Sequence, residues 1–152
     1  MTYKLHSVKG KKTKSGGNIY CGPTAIMAIT GKEYPEVQAA CNSNRFRKPT
    51  APILGLDTSA LRGALYDLGY RATKLSSIEG EDYKGKTIAK VLRERKDKRY
   101  FKQPIIIMTR NHYVTVLGRK FIDSHTREPV WIKQAPHRRA RVKQIYLIEK
   151  II

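Results

Sequence analysis

Asn18-Ile19-Tyr20-Cys21-Gly22-Pro23-Thr24-Ala25, followed by Ile26-Met27-Ala28-Ile29-Thr30-Gly31, is the stretch that decides how this chain reads. A glycine-rich approach, Ser15-Gly16-Gly17, ends at a cysteine, and an apolar run begins. Pro23 suits the first turn of a helix, where its missing N–H is not needed, and Gly31 suits a left-handed C-terminal cap. Cys21 therefore falls at the start of a predicted helix. Free N–H groups and the helix dipole at such a position favour thiolate over thiol. The same N–H groups can donate to an oxyanion forming on an attacked carbonyl. Cys41, beside Ala39 and Ala40 in a second short helix predicted over 34–41, reads instead as a small buried hydrophobe.

A nucleophilic cysteine needs a base delivered from elsewhere in the fold. His112 is the candidate, because it opens the apolar strand His112-Tyr113-Val114-Thr115-Val116-Leu117. Gly118-Arg119 fits a two-residue type II′ turn, which wants glycine first. Leu117 then pairs with Lys120, and Asp123 falls opposite Val114, on the face of His112 and diagonal to it. Diagonal neighbours lie about 7–8 Å apart, within reach of a His–Asp hydrogen bond. A base oriented by a carboxylate is the logic of a triad. His125 would face His112 directly in the same hairpin, which makes it the rival third member. A zinc site from Cys21, Cys41, His112 and His125 matches no recognised ligand spacing.

The rest of the chain supplies context for that pair. Leu61, Ala64, Leu65 and Leu68 recur at helical spacing, with Gly69 just beyond. Ile88, Val91 and Leu92 mark another helix. Ile105–Met108 reads as a strand buried on both faces, and Lys120–Ser124, Val130–Lys133 and Gln144–Ile148 complete an antiparallel sheet. Helices first and strands afterwards give an α+β class, with an N-terminal helical part packed on a C-terminal antiparallel sheet. Residues 1–17 read as a basic flexible arm and 18–152 as one domain.

Asn18–Ala25 resembles the nucleophile segment of papain-like cysteine peptidases, above all the bacteriocin-leader-processing (double-glycine) peptidases and their stand-alone relatives. His112–Gly118 followed by Phe121-Ile122-Asp123 is similar to the second half of that family's signature. The resemblance implies a papain-like fold and cleavage of a peptide or isopeptide bond through a thioester, without cofactor or metal. Cys21 would be the nucleophile, His112 the base and Asp123 its orienter. The family has a glutamine five or six residues before the cysteine; here Ser15 and Gly16 stand there. Asn18 could supply that side-chain amide to an oxyanion hole, with the Cys21 N–H as second donor.

Charge points in another direction. The 152 residues carry 31 Lys+Arg against 12 Asp+Glu, a formal +19, with 40% hydrophobic residues. Such a balance attracts polyanions, nucleic acid or an acidic partner among them, and Lys11, Lys12, Lys14, Arg138, Arg139 and Arg141 are the candidate contacts. A catalytically idle papain-like domain that binds nucleic acid or a partner is the alternative the charge favours. A third reading comes from Gly80-Glu81-Asp82-Tyr83-Lys84-Gly85-Lys86-Thr87, which satisfies the phosphate-loop pattern to the letter. No buried strand precedes it, and Glu81 and Asp82 would set carboxylates beside the phosphates, so a polar loop capping a helix is the better reading. No apolar run is long enough to span a bilayer, and no secretory pattern opens the chain. Two cysteines make no disulfide framework, and a cytoplasmic location is the expectation.

Overall fold

The computed structural model describes residues 2–152. Three helices come first: α1 (Cys21–Thr30), α2 (Tyr34–Ser43) and α3 (Thr58–Asp67). The first strand, β1 (Tyr70–Lys74), precedes two short helices, α4 (Ile88–Arg93) and α5 (Arg99–Lys102). Then follow β2 (Ile105–Thr109), β3 (His112–Leu117), β4 (Lys120–Ile122), β5 (Val130–Trp131) and β6 (Gln144–Lys150). One six-stranded antiparallel sheet has the order β1-β6-β2-β3-β4-β5. Helix and antiparallel sheet are thus combined as expected.

The order is not a clean run of helices followed by strands, because β1 sits between α3 and α4 and pairs with β6 at the far end of the chain. Tyr70-Arg71-Ala72-Thr73-Lys74 buries only Tyr70 and Ala72, too little apolar signal to announce a strand. Two predicted strands are shorter than expected. β4 stops at Ile122, and β5 ends at Trp131 before a 3₁₀ turn over Ile132–Gln134.

Ile105–Thr109 lies between β3 and β6, and core packs on both of its faces. Ile106, Tyr113, Tyr146 and Ile148 meet α1, α2 and α3 on one side. Ile105, Ile107, Val114, Val116 and Ile145 meet α4 and Phe121 on the other. A strand clad on both faces needs the continuous apolar run that Ile105-Ile106-Ile107-Met108 supplies.

The stretch read as a basic arm is anchored through its early residues. Leu5 and Val8 are buried, the His6 N–H donates to the Ala28 carbonyl (2.8 Å), and the Val8 N–H donates to that of Arg127 (2.8 Å). The lysines conceal a local Leu-x-x-Val spacing that docks this segment beside α1. Farther along it, the Gly17 N–H and the Thr13 side chain close a small turn (2.9 Å).

Gly22 lets α1 approach the 54–58 loop. A Cβ there would lie 2.8 Å from Leu56 Cβ, an atom fixed to the backbone that cannot rotate away. Gly22→Ala should therefore cost about 1–3 kcal/mol through overpacking, more than the helix propensity it gains. Urea unfolding should show a lower midpoint at unchanged slope; an unchanged midpoint would mean the loop yields freely.

Candidate active site

Cys21 is the first residue of α1. Tyr20 precedes it in extended conformation (φ −80°, ψ 173°), and no side chain caps the helix. Pro23 has no N–H to offer, so the free donors of the first turn are concentrated at Cys21 and Gly22. The other end closes as the sequence predicts: Gly31 adopts φ 71° and its N–H returns to the Met27 carbonyl.

His112 is delivered by a tight hairpin. Arg110 and Asn111 separate Thr109 from His112, and Asn111 takes a left-handed φ of 61°, a conformation asparagine tolerates. Beyond β3, Gly118 has φ 61° while Arg119 stays at negative φ, as a type II′ turn requires. Leu117 pairs with Lys120, Val116 with Phe121 and Thr115 with Ile122, the register read from the turn.

At Asp123 the chain leaves the ladder and turns. Asp123 Oδ1 accepts the N–H groups of His125 and Thr126, both at 2.9 Å. The Thr126 hydroxyl accepts the Asp123 N–H in return (3.1 Å). The other carboxylate oxygen, Oδ2, lies 3.0 Å from His112 Nε2, and the aspartate side chain is 0% exposed. The turn also moves His125 out of the ladder position opposite His112. Its ring still lies near, with centroids 5.4 Å apart, but as an exposed neighbour rather than a strand partner. His137, which no sequence signal singled out, completes a cluster at 5.8 Å from His112 and 4.9 Å from His125.

Electrostatics links the three central groups. Burial opposes ionisation of the Cys21 thiol. Hydrogen bonds from the His112 side chain and at the backbone of Tyr113 and Gly22 outweigh it, and bring the thiol below its usual value of 9.0. His112 is pushed up to about 9, first by its hydrogen bond to Asp123 and then by Cys21, against burial. Burial raises Asp123, but hydrogen bonds from His112 and from the Thr126 and His125 N–H groups hold it below its usual 3.8. With Nε2 committed to Asp123, Nδ1 is the ring nitrogen free to exchange a proton with sulfur.

Cys21 and His112 line a cleft of about 940 Å³, with Asn18, Tyr20, Leu54, Leu56, Asn111 and Tyr113 among its walls, and Asp123 is buried outside that lining. The Tyr113 hydroxyl donates to the Leu56 carbonyl (2.8 Å) and ties the 54–58 wall to β3. Asn18 also faces the cleft. Its Oδ1 accepts from Lys12 Nζ at 2.9 Å, and because an ammonium only donates, the asparagine N–H₂ is left as the available end. Lys12, read from sequence only as a polyanion contact, thus orients Asn18.

The remaining sequence candidates lie elsewhere. Cys41 is 0% exposed in the core under α2, and burial raises its thiol to about 12. Lys11 pairs with Glu33 (2.8 Å), Arg138 and Arg141 donate to the Lys133 and Gly85 carbonyls, and Lys14 and Arg139 are exposed. The phosphate-loop motif is filled from within. Lys86 Nζ is held by Glu81 (3.0 Å) and Glu94 (3.1 Å), and the Gly85 and Lys86 N–H groups donate to backbone carbonyls. Thr87 caps α4 through the Lys90 N–H.

The fold is an α+β arrangement with the cysteine-bearing helix against the sheet. The chain superimposes on the crystal structure of a double glycine motif protease from an AMS/PCAT transporter, solved in complex with the leader peptide, with a TM-score of 0.54. The superposition covers 97% of this chain and 99% of that one at 14% identity. No protein-family model and no curated protein matches the chain by sequence. Among the described residues, no helix is long and apolar enough to cross a membrane.

Iodoacetamide should discriminate between the two thiols. At pH 7, Cys21 should alkylate at least about 100-fold faster than buried Cys41 in the native protein. Asp123→Asn should let the His112 pKa fall back toward 6.5, leave less imidazolium beside the sulfur and slow Cys21 alkylation about tenfold. Equal, slow labelling of both cysteines would contradict the coupling. Linkage gives a second reading. His112 binds its proton more tightly folded than unfolded, so its contribution to stability is complete below pH 6.5 and lost as pH rises through about 9. Asp123 contributes the opposite limb, complete above 3.8 and lost as pH falls through its lowered value.

Proposed function

We propose that this protein is a cysteine peptidase that cleaves a peptide or isopeptide bond through a thioester on Cys21. The observation that carries the reading is the relay at the mouth of the cleft: a buried Asp123 carboxylate on His112 Nε2, and a thiol whose pKa is lowered by that imidazole. The fold it shares with a double glycine motif protease supports the same reaction class.

His112 takes the Cys21 proton, and the thiolate adds to the carbonyl carbon of the scissile bond. The oxyanion receives the Cys21 N–H and the Asn18 N–H₂. As the C–N bond breaks, the His112 imidazolium gives its proton to the departing amine, leaving a thioester. Water attacks with His112 as base, the acid product leaves, and the thiolate returns. Asp123 stays ionised throughout, fixing the ring and stabilising the imidazolium. That the solved protease was crystallised with a leader peptide suits a peptide lying along this cleft. The departure from the usual glutamine is met by Asn18, held by Lys12.

Incubation with a mixed-sequence peptide library, with new termini read by mass spectrometry, tests the proposal. Cleavage should require Cys21 absolutely. His112→Ala should reduce kcat/KM by at least about 10³-fold and Asp123→Asn by about 10²–10⁴-fold, chiefly through kcat. Activity should rise as pH passes the lowered Cys21 value and fall as His112 deprotonates near 9. Undiminished cleavage by Cys21→Ala, or no cleavage of any peptide by a protein whose Cys21 alkylates quickly, would overturn it.

A further inference from the structure

The cleft is charged at both ends with one sign, and the sheet fixes where. β6 pairs with β2 so that Met108 stands opposite Gln144, and the Lys143 N–H donates to the Met108 carbonyl (2.8 Å). Lys143 lies just before that register begins and bonds to Met108, whose partner in β3 is Tyr113, the residue next to His112. Strands are spaced about 4.8 Å apart, so Lys143 lies two strands, about 10 Å, from His112 on the β6 side. Its side chain is exposed, faces the cleft and enters no ion pair among the described residues.

Arg127 occupies the opposite side, past β4. Its N–H donates to the Asp123 carbonyl (2.9 Å), and its guanidinium donates to the Lys11 carbonyl (3.2 Å), which pins a cation at the cleft wall without neutralising it. Among the described residues, Asp57 is the one acidic residue of the lining, and its carboxylate caps α3 by accepting the Ala60 N–H (2.8 Å). Elsewhere carboxylates are held by surface partners: Glu33 by Lys11, Glu128 by Lys9, Glu149 by Arg71.

We infer that the cleft takes an acidic peptide, running across the strand ends, with one carboxylate at Lys143 and a second toward Arg127. The inference rests on reading the cleft as a peptide site and deepens it by naming the substrate chemistry. An extended chain advances about 3.3–3.6 Å per residue, so 10 Å corresponds to about three residues from the scissile bond on the β6 side. The surrounding +19 field draws such a peptide in, while the two cleft cations set its register. Nucleic acid would use the same charge but has no need of this spacing about the thiol.

The test separates local recognition from net charge, and binding from turnover. Fluorescein-labelled twelve-residue peptides of Ala, Ser and Gly carry Glu, Gln or Lys three residues either side of the centre. Their affinities are measured by anisotropy on Cys21→Ala protein, which cannot turn over. The Glu peptide should bind at least about tenfold more tightly than the Gln peptide, and the Lys peptide most weakly. Adding Lys143→Glu should abolish that preference, since the cleft would then carry one charge of each sign. Lys90→Glu, the same charge change at an exposed position of α4, should leave the order intact. Equal affinities, failure of the Glu peptide to bind, or equal loss in both charge reversals would overturn the inference. So would a single-stranded oligonucleotide that displaces the Glu peptide, binds more tightly and responds to Lys143→Glu. Cys21-dependent cleavage by the wild type with no charge preference would overturn this inference and leave the peptidase reading. Acidic-peptide binding without cleavage would do the reverse.

Discussion

A carboxylate with no exposed side-chain surface, Asp123, is the constraint on which the rest of the site depends. Such a group would ordinarily be driven to its neutral form by burial. It stays ionised because two backbone N–H groups and one imidazole converge on its two oxygens. The consequence passes outward in sequence. The charge on Asp123 raises His112, and the imidazolium so favoured lowers Cys21. The site is therefore a chain of dependent protonation states, and its anchor is a turn rather than a strand.

That turn exists because β4 is short. Were the β3–β4 ladder to continue three residues further, Asp123 would pair as a strand residue and His125 would sit opposite His112. The 124–126 turn takes the backbone N–H groups of His125 and Thr126 off the ladder and points them at Asp123. The hairpin that sets the register is itself held from outside. Arg95, buried, donates to the Leu92, Tyr100 and Gly118 carbonyls and lies 4.2 Å over the Phe101 ring. Its contact with Gly118 ties the β3–β4 turn to the α4–α5 segment. A guanidinium stripped of water and given three carbonyls is a fixed crosslink, and burial lowers it only to about 10, so it keeps its charge.

How much of this was readable from residue order follows from the range of the forces involved. The start of α1, the Gly31 cap and the β3–β4 register are local: proline, glycine and a two-residue turn fix them within a few positions. The approach of His112 to Asp123 was readable because one hairpin carries both. β1 was not, since its partner β6 lies more than seventy residues away and only two of its side chains are buried. His137 reaches the cluster from a loop with a left-handed φ of 60°, a long-range placement with no local pattern. The phosphate-loop motif fails for the converse reason. Its spacing is right, but Lys86 spends its charge on Glu81 and Glu94, a pairing that only the folded chain reveals.

The same distinction bears on the +19. Sequence counts all 31 cations alike, whereas the fold gives them different tasks. Arg95 is a buried crosslink, Lys86 closes an ion-pair cluster, Lys12 orients Asn18, and Arg127 is fastened to the Lys11 carbonyl. A cation acts on a ligand in proportion to its freedom from such partners and its proximity to the ligand's path, since exposed charges beyond a Debye length of about 8–10 Å are screened. On that criterion the basic clusters at 93–102 and 138–141 contribute to the general field, whereas Lys143, which enters no ion pair among the described residues, stands in the cleft that holds Cys21. Net charge and chemistry look separate along the chain, yet the fold joins them, by holding Lys143, just before β6, on Met108 of the strand that neighbours β3 and its His112.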